Sequence, residues 1–262
     1  MEKVAIIFCG PIRPDWHSVK ENIDLLKKSF ENFNVSTYLC SWNDPKNLYN
    51  IDVTCIDNLI LFKEPEKNFI ASLVWARIKQ GGASFERNYK AFWSRRQILE
   101  VVKKSDIAFD WIVLSRTDLK IYIEDPKNWL LKGFYSMPTQ ARHYKKEVVN
   151  PLNDQFGIAD PDTMYDAWDY KDIDTYNRLY NMSVNPEHTL KFIMEMNGVT
   201  IVDFTADYYD LNLTRHKNDR NYSLEAGKCK YFIRRTLGQI IKKIFGERKT
   251  QSFLKYIKKL FS

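Results

Sequence analysis

The stretch DWIVLSRTDLKIY, residues 110–122, decides how this chain folds. Trp111, Ile112, Val113 and Leu114 form an apolar run of the length that a strand buried on both faces needs. Arg116, Thr117 and Asp118 follow at once, and apolar residues resume at Leu119, Ile121 and Tyr122. Arg and Asp are almost never fully buried without partners. A core strand that runs straight into them ends either in an ion pair or in a site that uses both charges.

The flanking segments alternate between two periods. Residues 3–9 (KVAIIFC) read as a buried strand closed by Gly10-Pro11. Helical spacing follows over about 16–30, with Val19, Ile23, Leu26 and Phe30 on one side. Residues 34–42 (NVSTYLCSW) are a second strand, and 52–62 hold a third. Residues 66–80 and 86–104 have helical spacing, with Tyr89, Trp93, Ile98 and Val102 among the inward positions of the second. After the strand at 110–115 comes a short strand near 119–123. Helical patterns return at 161–180 and 187–197, and a strand at 199–204. Strands alternating with helices predict an α/β fold with a mostly parallel sheet flanked by helices.

Composition narrows the class. A chain of 262 residues with 44% hydrophobic and 28% charged residues is ordinary globular material, enough for one large domain or a domain with an appendage. Internal repeats, low-complexity blocks and Pro- or Gly-rich linkers do not occur. The apolar run Val4–Cys9 is too short for a signal-peptide core, and no stretch has the apolar length of a membrane span. The expectation is a cytoplasmic protein, free or on a membrane surface. Cys9, Cys40, Cys55 and Cys229 form no CxxC pair, which argues against zinc, and Cys9 and Cys40 lie in apolar segments as small buried hydrophobes. No GxxxxGKS loop is present, which argues against P-loop phosphotransfer.

Charge is concentrated at one end. Residues 228–262 carry eleven Lys or Arg against the single acid Glu247, a net +10, so the chain's +7 leaves −3 for residues 1–227. A near-neutral body does not suit a nucleic-acid binder. The tail has two apolar stripes. The first is Ile233, Leu237, Ile240, Ile241 and Ile244; the second is Phe253, Leu254, Ile257, Leu260 and Phe261. A basic amphipathic helix fits an anionic membrane surface; it also fits packing on its own domain or in a dimer. The domain reading is a body over 1–227 and a helical tail over 228–262, with the oligomeric state open.

In parallel sheets ligands bind beyond the carboxyl ends of the strands. Three strands here end unusually, in CGPIR, CSWND and SRTD. As neighbours they would bring Gly10, Arg13, Trp42, Asp44, Arg116 and Asp118 to one edge, offering phosphate donors, a ring to stack on and a carboxylate for a hard cation.

The series VAIIFCGPIRP, STYLCSWND, FDWIVLSRTDLKIY, NDQFGIAD (153–160) and NPEHTLKFIMEMNGV (185–199) resembles bacterial glycosyltransferases that build capsular and lipopolysaccharide sugars. The likeness spans roughly 3–215 as an ordered set of short motifs, and the tail lies outside it. It implies a GT-A-like, Rossmann-like fold, a nucleotide-sugar donor, a glycan or lipid-linked acceptor at the inner face of the membrane, and a divalent metal, Mn²⁺ or Mg²⁺. Arg-x-Asp stands where GT-A glycosyltransferases have Asp-x-Asp, so the metal is either held weakly through the one carboxylate, Asp118, or absent. Arg116 can bind phosphate bidentately or pair with Asp118.

The remaining site residues follow from this reading. Gly10 can let a nucleotide approach the backbone or simply make the turn. Arg13 reaches phosphate or solvent, and Trp42 walls a base pocket or fills the core. Of Arg95 and Arg96, one faces the donor. Arg215, after the last strand, can close over phosphates. An inverting transfer needs a carboxylate base. The candidates are Asp154, Asp169 and Glu187; Asp154 is favoured, and Glu187 also suits a first helical turn. The alternative is a non-catalytic, membrane-associated nucleotide- or glycan-binding module.

Overall fold

The computed structural model describes residues 1–12, 15–43, 52–63, 65, 83–138, 154–183, 186–204 and 208–210. The helical pattern expected at 66–80 and the tail at 228–262 lie outside the described residues.

The elements are β1 (Lys3–Cys9), α1 (Trp16–Ser29), β2 (Asn34–Trp42), β3 (Asn58–Phe62), α2 (Ala83–Lys103), β4 (Trp111–Arg116), β5 (Lys120–Tyr122), β6 (Phe134–Pro138), β7 (Phe156–Ala159), α3 (Pro161–Trp168), α4 (Ile173–Ser183), α5 (Pro186–Met196), β8 (Thr200–Phe204) and β9 (Tyr208–Asp210). Seven strands form one sheet in the order β3-β2-β1-β4-β7-β6-β8. All run parallel except β7, which opposes both β4 and β6. The mostly parallel α/β architecture expected from the sequence is therefore present. Strands β5 and β9 pair separately as a small antiparallel ribbon.

Both faces of the sheet are covered, which is why β1 and β4 read as continuous apolar runs. On one face Val4, Ile6 and Phe8 of β1 pack with Val19, Ile23 and Leu26 of α1 and with Val113. On the other, Ala5, Ile7 and Cys9 pack with α2, α3, α4 and α5 through Phe92, Ile98, Trp168, Tyr176 and Ile193. Helix α1 begins where the Asp15 carboxylate accepts from Ser18 N at 2.9 Å, an ordinary N-cap.

Three local expectations change. The single helical pattern at 161–180 is two helices. Between them Lys171 takes φ 64°, and its N–H donates to the Asp169 carboxylate at 2.9 Å. The third strand is confined to Asn58–Phe62, because Asp52 caps a 3₁₀ turn over Val53–Cys55. Strand β6 was not read in the sequence: FYSMP is only five residues and ends in Pro, which strands disfavour, yet Tyr135–Pro138 are buried between β7 and β8.

Candidate functional site

Register sets the edge. Cys9, the last residue of β1, pairs with Cys40 on one side and Arg116 on the other, and Trp42 pairs with Phe62. The carboxyl ends of β1, β2, β3 and β4 thus lie together. Strand β7 runs the other way, so its amino end joins the same edge: Ser115 pairs with Phe156, and Arg116 N–H donates to Gln155 O at 3.1 Å. That reversal carries Asp154 to the edge that holds Arg116.

The turn after β1 is fastened to the turn after β4. Gly10 N–H donates to Cys40 O at 3.0 Å, and Thr117 N–H to Cys9 O at 3.3 Å. The Thr117 hydroxyl donates to Pro11 O at 2.7 Å, and Asn22 Nδ2 of α1 donates to Thr117 O at 2.9 Å. Gly10 sits at φ 139°, and a Cβ there would lie 3.1 Å from the Thr117 hydroxyl. The space that glycine leaves is occupied by Thr117. Its absence of a side chain serves the junction of two strand ends, with or without a nucleotide nearby.

Arg116 and Asp118 answer the question posed by the apolar run before them. Arg116 Nε donates to Asp118 Oδ1 at 2.6 Å, and Nη2 donates to Oδ2. The pair is side-on and bidentate. Its members are unequally exposed: the Asp118 side chain keeps 8% of its surface and Arg116 keeps 24%. Asp118 is therefore the more covered of the two side chains. This geometry fits a resident metal poorly. Both Asp118 oxygens are committed to Arg116, and among the described residues no group of three or more His, Cys, Asp or Glu is placed to hold an ion.

Trp42 lies at the same edge, stacked on Trp93 of α2 with centroids 6.0 Å apart and planes 15° apart, while Phe62 meets Trp93 edge-on at 5.5 Å. These three rings end β2 and β3 in an aromatic wall.

The other sequence-predicted residues sort differently. Arg95 is only 4% exposed; its guanidinium lies 4.8 Å from the Trp168 ring centroid, and Nη1 has no hydrogen-bond partner among the described residues. It belongs to the interior behind the edge. Arg96 stacks on Tyr170 at 4.8 Å and pairs with Asp169 at 3.3 Å. Asp169 also accepts from Lys171 Nζ at 2.7 Å. Burial pulls the Asp169 carboxyl up, but the Lys171 hydrogen bonds and the Arg96 and Lys171 charges together hold it below the usual carboxylate range. A carboxylate so occupied fixes the α3–α4 bend and makes a poor proton acceptor. Glu187 is buried in the first turn of α5, where an acid offsets the helix dipole. Arg13, Asp44 and Arg215 lie outside the described residues.

Two features were missed in the sequence. Asn22 lies on the buried stripe of α1 between Val19, Ile23 and Leu26; a polar residue in that stripe is the legible sign of the Thr117 fastening. Tyr135 of β6 crosses β7 at Gly157, where a Cβ would stand 2.0 Å from the tyrosine oxygen. Burial pushes the Tyr135 hydroxyl well up, Arg95 opposes this, and the negative charge of Asp154 adds to it.

No family model matches the chain, and a search of curated proteins returns no match.

Proposed function

We propose that this chain is a glycosyltransferase that moves a sugar from a nucleotide-sugar donor to a growing surface glycan, capsule or lipopolysaccharide, at the inner face of the membrane. The observation that carries the reading is the single edge where the Gly10 turn, Trp42, the Arg116–Asp118 pair and Asp154 meet. Ligands of parallel α/β sheets bind there.

On this reading the aromatic wall of Trp42 and Trp93 borders the nucleotide, and the diphosphate lies against Arg116. Asp154 takes the proton of the acceptor hydroxyl, as an inverting transfer requires. The family likeness also implies Mn²⁺ or Mg²⁺ at Asp118. The described residues fit that ion poorly. The basic tail would hold the enzyme at anionic lipid; no helix among the described residues is long and apolar enough to cross a membrane.

A thermal-shift panel of nucleotide sugars tests the reading. One donor, or donors sharing one base, raises the melting temperature in a dose-dependent way. Binding of a nucleotide or glycan without any turnover would favour the non-catalytic module instead.

A further inference from the structure

We propose that the Arg116 guanidinium, fixed by Asp118, is the cation that meets the donor diphosphate, and that diphosphate binding and departure need no divalent metal. The inference rests on the glycosyltransferase reading and specifies how its site handles charge.

Four observations lead here. The pair sits at the strand end, beside the β1 turn and the amino end of β7, where a diphosphate would lie. Its exposure is unequal: Asp118 is the more covered side chain and Arg116 the more exposed. An approaching anion therefore has more access to Arg116 than to Asp118. The pairing uses Nε and Nη2, which turns Nη1 away from Asp118. Finally, Thr117 between them is locked to Pro11, Cys9 and Asn22, so the backbone carrying both charges is fixed before any ligand arrives. Stabilisation of developing charge is most effective from donors that need no reorganisation.

Chemically, a planar guanidinium is a sensible substitute. It is always charged, less strongly hydrated than an ammonium, and its fork matches phosphate oxygens bidentately. Asp118 then acts as a positioning residue. It holds the guanidinium in one orientation. A metal at Asp118 would have to share both oxygens with Arg116, beside a fixed positive charge and in a covered site.

The transfer balances without a metal. The bond between the anomeric carbon and the phosphate oxygen breaks, and its electron pair stays on that oxygen, facing Arg116. The acceptor oxygen forms the new bond to the anomeric carbon, and its proton passes to Asp154. The products are the glycoside and a nucleoside diphosphate.

The test is calorimetric titration of the full chain with UDP, GDP, CDP and ADP, in EDTA and again in Mn²⁺. The diphosphate that binds does so equally, within about threefold, in both conditions. Arg116→Ala weakens it by about 100-fold, and Arg116→Lys, which keeps the charge and loses the fork, by about 10-fold. The corresponding nucleoside, which has no phosphate, binds parent and Arg116→Ala alike. Asp118→Asn, checked for folding by circular dichroism, weakens the diphosphate less than Arg116→Ala does. Binding that vanishes in EDTA and returns with Mn²⁺ overturns the inference while leaving the glycosyltransferase reading standing. Failure of all four diphosphates in both conditions overturns the two together.

Discussion

The sheet has two unlike halves. In β3-β2-β1-β4 every strand is parallel, and β1, β2 and β4 are long and apolar, each stopped by a visible signal: Gly10, Trp42 or Arg116. In β7-β6-β8 the strands are shorter, one is reversed, and the fit depends on a tyrosine crossing a glycine. The first half follows from pattern within each segment. The second follows from which segment lands beside which. The candidate site straddles the join, taking its binding groups from the first half and Asp154 from the second.

The comparison breaks first if Asp154 is dispensable. Asp154→Asn keeps the shape and removes the base, and turnover of the donor–acceptor pair should fall about 100- to 10,000-fold. Donor binding should change little, since the diphosphate lies on β4. Steady-state kinetics beside donor titration separates the two. A variant with near-parental kcat places the proton acceptor elsewhere.

Gly157→Ala probes the fit of the second half alone. The new methyl would lie 2.0 Å from the Tyr135 oxygen, at the tip of a ring that is fully buried. Overpacking of this kind costs about 3 kcal/mol, read as a lowered denaturation midpoint. Unchanged stability would show that Tyr135 does not cross β7 there.

In the first half, Asn22→Ala removes the donor to Thr117 O and leaves that carbonyl buried, at a cost of about 2 kcal/mol. Because the fastening holds the Arg116–Asp118 segment, donor affinity should fall with it. A loss of stability alone would mean that the turn keeps its shape without α1.

The smallest effect is a pH dependence. Asp160 caps α3 in the second half. Burial pulls its carboxyl up, but bonds from Gly133 N–H and from Thr163 N–H and hydroxyl outweigh this and leave it lowered. A carboxyl lowered on folding stabilises the fold above its unfolded value, and that contribution disappears as pH falls through the folded value. Asp169 acts in the same direction. Asp203 of β8, raised by burial, acts oppositely. Asp160→Asn keeps a capping side chain and removes the charge, so at pH 7 it should cost under about 1 kcal/mol. Its denaturation midpoint should fall less than the parent's on acidification. Identical acid sensitivity would locate the pH dependence elsewhere.

What was legible divides along the same line. Periodicity placed β1, α1, β2, β4 and α5 within a residue or two, because each has a full apolar stripe or run. It joined α3 to α4, because the break is a Lys at φ 64°, a conformation usually signalled by Gly or Asn. It missed β6, whose five residues are placed by neighbours distant in sequence. Strand-end logic placed Arg116, Asp118, Gly10 and Trp42 at one edge, and the register does bring those strand ends together. It placed Asp154 before a strand without showing that the strand is reversed, which is what brings Asp154 to the edge. Of Arg95 and Arg96 one was read toward the donor; residues 92, 95 and 99 share a buried stripe of α2, which puts Arg95 inside.

The central claim is that this edge binds a nucleotide sugar and releases its diphosphate. It is tested most directly by incubating the full chain with a panel of nucleotide sugars and measuring nucleoside diphosphate released, for the parent and for Arg116→Ala. The account predicts slow release from one donor, or from donors sharing one base, and loss of that release in the variant. Absence of binding and release across the whole panel would contradict it.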